Sequence, residues 1–163
     1  MRRVILLSGP THSGKTGVLS STVRRPGVAG ILAPDLHYRR ILEDLKSGEF
    51  ERFQMHETDD EPVVTIGPYR FRTAAFDWAN GRLTAAAKSD SPIIVVDEVG
   101  PLELRGEGLR PALDTVLARG HGTTILVVRD SLIGQVEALA GGDAEVATVA
   151  TWPQVWQSII GVS

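Results

Sequence analysis

The chain has no cysteine among its 163 residues, so neither a disulfide nor a thiolate metal site is open to it. It also lacks a positive charge balance. With 17 Lys and Arg against 20 Asp and Glu, the net charge of −3 argues against broad nucleic-acid or anionic-membrane binding. No apolar run approaches the roughly 20 residues of a membrane span. Arg2-Arg3 precede an apolar stretch that ends after Leu7 in glycine and proline, shorter than a secretory signal needs. His12, His37, His56 and His121 show no paired ligand spacing, which speaks against zinc. There is no internal repeat or low-complexity segment. What remains is a cytoplasmic globular protein, 42% apolar and 23% charged, long enough for one domain over residues 1–163 with a real core.

Against these absences stands one dense stretch, Gly9-Pro10-Thr11-His12-Ser13-Gly14-Lys15-Thr16. It fits the phosphate-loop pattern G-x-x-x-x-G-K-[ST]. Successive backbone N–H groups must curl around a phosphate, and the two glycines permit conformations that a side chain forbids. Lys15 then reaches the β- and γ-phosphates, and the Thr16 hydroxyl ligates the Mg²⁺ that accompanies them. An ordinary Gly/Ser turn before a helix shows the same letters, so context decides.

Val4-Ile5-Leu6-Leu7, just before the loop, reads as a strand buried on both faces. Residues 14–24 read as a helix with Val18, Leu19 and Val23 on one side, its positive dipole end facing the phosphates. Residues 28–32 form a second short strand. Between Tyr38 and Arg72 the pattern has two readings. Ile41, Leu42 and Leu45 suit one face of a helix, whereas Ser47-Gly48 between residues 42–45 and 50–53 suits a hairpin, the reading preferred. A second hairpin pairs residues 63–66 with 69–72 across Gly67-Pro68. Helices are expected at residues 73–88, 108–119 and 131–139, and strands at 123–128 and 145–150. Thr151-Trp152-Pro153-Gln154 has capping-box spacing and opens a last helix, in which Trp152 and Trp156 read as core. Alternating strands and helices imply a mostly parallel sheet with helices on both faces, which binds ligands at the carboxyl ends of its strands.

Ile93-Ile94-Val95-Val96-Asp97-Glu98 is an apolar strand ending in two carboxylates. Downstream of a phosphate loop, Asp97 would hold Mg²⁺ beside Thr16, directly or through water, and Glu98 would orient and deprotonate the attacking water. A solvated strand end is the plain reading of the pair alone; two motifs on one expected sheet edge favour the chemistry. The strand at 123–128 should lie between the two motif strands, and it ends at Arg129-Asp130, a candidate γ-phosphate sensor or a simple turn. Arg39, Arg40, Arg70, Arg72, Arg105 and Arg110 are all candidate charge-stabilising fingers, among which the sequence does not choose. His12 is expected to be exposed on the loop.

With both motifs placed, the chain resembles the small cytoplasmic nucleoside-triphosphatase family, first characterised in thermophiles and present also in animals. The likeness rests on residues 4–16 and on Ile94-Val95-Val96-Asp97-Glu98-Val99-Gly100-Pro101-Leu102-Glu103-Leu104, which is similar to that family's D-E-I-G-x-M/L-E-L signature. Gly67-Pro68-Tyr69-Arg70-Phe71-Arg72 adds support. The resemblance implies a P-loop NTPase fold of the RecA-like α/β kind, with β-hairpins inserted over residues 38–72 that could serve as a lid. It implies Mg²⁺ and slow, base-tolerant hydrolysis of ATP, GTP and other triphosphates to the diphosphate and phosphate. Pro101 stands where many members carry lysine, and residues 32–36 follow the family pattern only loosely.

Two rivals share the loop. A small-molecule or nucleotide kinase would close an arginine-bearing segment such as residues 38–72 over the phosphates and release no phosphate without an acceptor. A nucleotide switch or assembly ATPase would turn over only with a protein partner.

Overall fold

A computed structural model describes residues 2–10, 12–55 and 60–161. Met1, Thr11 of the loop motif, His56, Glu57, Thr58 and Asp59 of the 38–72 segment, and Val162 and Ser163 lie outside the described residues.

The chain opens with β1 (Arg2–Gly9) and α1 (Lys15–Ser20), then β2 (Val28–Leu32). Five strands follow in two hairpins and a short spur: β3 (Asp35–Leu36), β4 (Arg39–Asp44), β5 (Phe50–Arg52), β6 (Val63–Ile66) and its partner β7 (Tyr69–Arg72). The remainder is α2 (Thr73–Lys88), β8 (Ile93–Val96), α3 (Pro101–Leu104), α4 (Arg110–Leu117), β9 (Gly122–Arg129), a 3-10 turn at Asp130–Leu132, α5 (Ile133–Leu139), β10 (Glu145–Ala147) and α6 (Trp152–Ile160). No helix among the described residues is long and apolar enough to cross a membrane.

The central sheet runs β10-β1-β9-β8-β2-β4-β3, with β5 on the other edge of β4. The first five of these strands are mutually parallel, and β4 joins β2 antiparallel. β9 lies between β1 and β8, as expected of the strand at residues 123–128. Parallel strands covered on both faces read as unbroken apolar runs, and residues 4–8 of β1 are all buried. Alternate side chains serve two cores: Val4 and Leu6 join α2, α4 and α5 on one face, while Ile5 and Leu7 join α1 and α6 on the other. Helix α1 after β1 and helix α3 after β8, two strand ends separated by β9, therefore pack on opposite faces. This opens the crevice at the carboxyl edge in which such sheets bind ligands.

The 38–72 segment forms strands, not a helix. Ser47-Gly48 makes the first turn, where Gly48 N–H bonds Asp44 O at 2.8 Å, and β4 pairs β5 across it. The Gly67-Pro68 ribbon pairs Val63↔Arg72 through Ile66↔Tyr69. Because β4 is stitched to β2 at Ile31↔Asp44 and Leu32↔Glu43, the first hairpin is part of the central sheet. Helix α2 covers the expected span, whereas α1 is shorter than residues 14–24 and β10 ends at Ala147. Thr151 does precede α6, yet its hydroxyl serves Thr148 N–H at 2.9 Å instead of capping the helix. Trp152 and Trp156 stack at 5.8 Å within the second core. Helix α3 was not anticipated.

Candidate active site

The loop after β1 turns through residues in left-handed backbone, His12 at φ +62° and Gly14 at φ +88°. Open space surrounds Gly14, so conformation and not room calls for glycine there. His12 is exposed, as expected. Lys15, the first residue of α1, is buried, and its Nζ donates to Gly9 O at 2.6 Å and Pro10 O at 3.4 Å. Burial lowers the Lys15 pKa, opposed chiefly by the carboxylates of Glu98 and Asp97. The Ser13 hydroxyl is buried without a partner among the described residues.

The two sequence motifs meet at one contact. Thr16 Oγ1 donates to Asp97 Oδ2 at 2.9 Å, and Ala33 N–H donates to the same oxygen at 3.1 Å. Asp97 is 1% exposed and follows β8, anchored by its N–H on Ile31 O at 3.0 Å. Its other oxygen, Oδ1, is buried with no hydrogen-bond partner among the described residues. Burial raises the Asp97 pKa, against the lowering pull of the Ala33 and Thr16 bonds. A hydroxyl and an unsatisfied carboxylate oxygen side by side are hard donors, the set that Mg²⁺ takes from a protein when phosphates complete its shell. The residues present fit that ion.

Glu98 is joined to Asp97 by a cis peptide and is partly open to solvent. Arg129, from the end of β9, lies 3.9 Å from the Glu98 carboxylate. Both line a cavity of about 540 Å³ that begins at residues 12–16. Asp130 is exposed at the start of the 3-10 turn, and its charge is among those that oppose the lowering of the Lys15 pKa. Of the other arginines weighed, Arg40 reaches the cavity. Arg72 is held by Glu61 and Glu51, Arg105 by Glu107, and Arg110 by Asp114.

One residue of the site was missed as such. Glu103, buried on α3, accepts Gly100 N–H at 2.8 Å and Leu109 N–H at 2.9 Å, so it ties down the segment that follows Glu98. Burial raises its pKa beyond what these bonds restore, and the charge of Glu98 adds to the rise. A Glu103→Ala variant leaves two buried donors unpaired at about 1–3 kcal/mol each, partly offset by loss of the desolvated carboxylate. The expected net loss is about 2 kcal/mol, or roughly 4–8 °C in Tm. The sign of its pH dependence follows from the raised pKa. The carboxyl's contribution is fully present below the ordinary glutamate range and falls as pH rises through the raised value. The stability gap between wild type and variant should therefore narrow from acid to neutral pH in denaturant melts. A gap independent of pH would contradict the assignment.

A parallel sheet with a phosphate-loop sequence on its first strand and an acidic strand end beside it has the P-loop NTPase architecture. The chain superposes on two solved structures over 99% and 100% of its length, each with a TM-score of 0.71. One is THEP1 from the hyperthermophile Aquifex aeolicus, 16% identical, covering 99% of this chain and 98% of that one. The other is a human cancer-related nucleoside triphosphatase, 18% identical, covering 100% of both. No curated protein matches the sequence significantly. Residues 4–159 match the profile of the NTPase family, and the chain belongs to that family. It is an enzyme of the nucleoside-triphosphatase class.

Proposed function

We propose that the protein hydrolyses the β–γ bond of nucleoside triphosphates in an Mg²⁺-dependent reaction, with broad base tolerance and low turnover, in the cytoplasm. The observation that carries this reading is the 2.9 Å contact of Thr16 with Asp97, whose second oxygen is buried with no hydrogen-bond partner among the described residues, directly before Glu98. In this reading residues 9–16 bind the phosphates through backbone N–H groups, and Lys15 leaves the Gly9 and Pro10 carbonyls to hold the β- and γ-phosphates. Thr16 and Asp97 hold the metal, which when bound neutralises charge developing on the phosphate oxygens. Glu98 accepts the proton of the attacking water. Arg129, next to Glu98, supplies positive charge on the side of attack. Residues 1–163 act as one domain, and the β6–β7 ribbon, outside the central sheet, is the part of the 38–72 segment left to cover the site.

The test is phosphate release from each common nucleoside triphosphate, with Mg²⁺ and with a chelator in excess. Release should occur with Mg²⁺ for several bases and vanish on chelation; metal-independent release would remove Thr16 and Asp97 from the role. Lys15→Ala should weaken triphosphate binding by about 10–100-fold, the worth of a charge-assisted contact in a buried site. Unaltered affinity in equilibrium titration would overturn the loop assignment.

A further inference from the structure

Hydrolysis leaves two anions in the site, a nucleoside diphosphate and inorganic phosphate. In a phosphate loop the backbone cradles the α- and β-phosphates and the lysine reaches β and γ. The diphosphate therefore stays on residues 9–16, while inorganic phosphate forms beyond it, beside Asp97, Glu98 and Arg129. That end of the cavity is a poor resting place for a phosphate. Asp35, Asp97, Glu98 and Glu103 all line the cavity, and Arg40 comes accompanied by Asp35 at 3.7 Å. Another wall is aromatic, with Phe53 stacked on Phe71 at 4.3 Å and edge-on to Phe76 at 4.9 Å. Ring faces are negative, so they repel an anion.

A second cavity, of about 410 Å³, adjoins the first. Arg129, Ile66, Tyr69, Pro101 and Leu102 line both, so the two meet there. It lies between the tip of the β6–β7 ribbon and α3. Thr65, Gly67, Pro68 and Tyr69 on its wall are exposed, so it opens to solvent. Its charged lining residues are Arg129 and Arg105, with no acidic residue among the described ones, in a protein of net charge −3. Neither guanidinium is tightly held. Arg129 has Glu98 at 3.9 Å. Arg105 bonds Glu107 at 2.8 Å through Nε, on a side chain 60% exposed, and its terminal nitrogens carry no hydrogen bond among the described residues. The hydroxyl-bearing Thr65 adds a donor to the same wall. Two guanidiniums and a hydroxyl are a donor set suited to a tetrahedral oxyanion.

We propose that this second cavity binds inorganic phosphate, the product of the reaction, on Arg129 and Arg105 while the nucleoside diphosphate still occupies the loop. Phosphate passes from Glu98 to the ribbon tip by exchange between the two guanidiniums. It reaches solvent without retracing the path of the nucleotide. The proposal rests on the hydrolase reading for the reaction that makes the phosphate.

The experiment follows the diphosphate formed from ATP by anion-exchange chromatography, over a series of inorganic phosphate concentrations. Free Mg²⁺ and ionic strength are held constant. Phosphate bound beside the nucleotide should lower kcat and leave the KM for ATP nearly unchanged. Arg105→Gln should raise the phosphate concentration for half-inhibition about 5–10-fold, the worth of one charge-assisted contact at an exposed position. Arg105→Lys, which keeps the charge but not the fork of donors, should fall between wild type and Arg105→Gln. Inhibition that only raises KM places phosphate in the loop and overturns this proposal alone. Inhibition equally strong in Arg105→Gln, or none in wild type, does the same. Failure to form diphosphate from ATP overturns it together with the hydrolase reading.

Discussion

Glu98→Gln is expected to lower phosphate release by about 10²–10⁴-fold, the range for loss of a positioned general base, and to leave triphosphate affinity within about twofold. Glutamine keeps the size and one acceptor oxygen of the side chain but cannot take a proton. Glu98 is only half-buried and its one ion partner among the described residues is Arg129 at 3.9 Å, so the fold should not notice the change and Tm should stay within about 2 °C. A second consequence identifies the residue as part of the phosphate site. Burial is the main cause that lowers the Lys15 pKa, and Glu98 is the largest opposing influence. Removing that carboxylate should lower the Lys15 pKa further. The alkaline limit of triphosphate binding should then move to lower pH in the variant, because a neutral Lys15 no longer holds the phosphates. Equilibrium titrations across pH, set beside single-turnover phosphate release, separate the two effects. Unchanged turnover would remove Glu98 as the base.

The parts of this site legible in the sequence are those in which a buried strand runs straight into its loop. Residues 4–16 and 93–98 each carry an unbroken apolar run and the polar groups that follow it, so local pattern alone places them on one edge. Strand β9 lies between them, where the 123–128 strand was expected. The 38–53 region was ambiguous for a physical reason. Strand β4 is buried on both faces at its centre, with adjacent Ile41 and Leu42 both inside and Asp44 as well, so the alternation expected of a half-exposed strand is lost. What keeps Asp44 inside is Arg82 at 3.1 Å, 38 residues away, together with Ser47 at 2.8 Å. Helix α3 spans four residues, too few for a period to show. The tie made by Glu103 depends on Leu109 N–H, which pattern cannot foresee. The aromatic wall draws Phe53, Phe71 and Phe76 from separate elements, and only packing reveals it. The arginines sort themselves by neighbours: Arg110 and Asp114 are an i,i+4 pair that spacing could have eliminated, whereas Arg129 is singled out only by its approach to Glu98.

Gly30→Ala is expected to be the most damaging single methyl group in the protein, at more than about 4 kcal/mol, a large part of an ordinary domain's stability. Gly30 sits in the middle of β2 at φ +121°, a backbone conformation that strains an L-residue before any contact is considered. A Cβ there would stand 2.0 Å from Val95 O and 2.6 Å from Val95 N. Those are backbone atoms of β8 in register with Gly30, so no side-chain rotation relieves the overlap and the strands must part. Parting them also disturbs the site, because Asp97 N–H bonds Ile31 O and Asp97 Oδ2 is held by Ala33 N–H, both on the segment that Gly30 begins. The variant should be recovered in low soluble yield, with Tm lowered by more than about 10 °C. Any folded fraction should need more Mg²⁺ for phosphate release. Gly81→Ala supplies the matched control: the same methyl group, at an exposed position of α2, with nothing within 4 Å of the added carbon. It should raise stability by about 0.5–1 kcal/mol through helix propensity. Opposite signs for the two substitutions in thermal melts would locate the cost in the β2–β8 contact. A Gly30→Ala protein melting within 2 °C of wild type would show that Gly30 does not face Val95 as described.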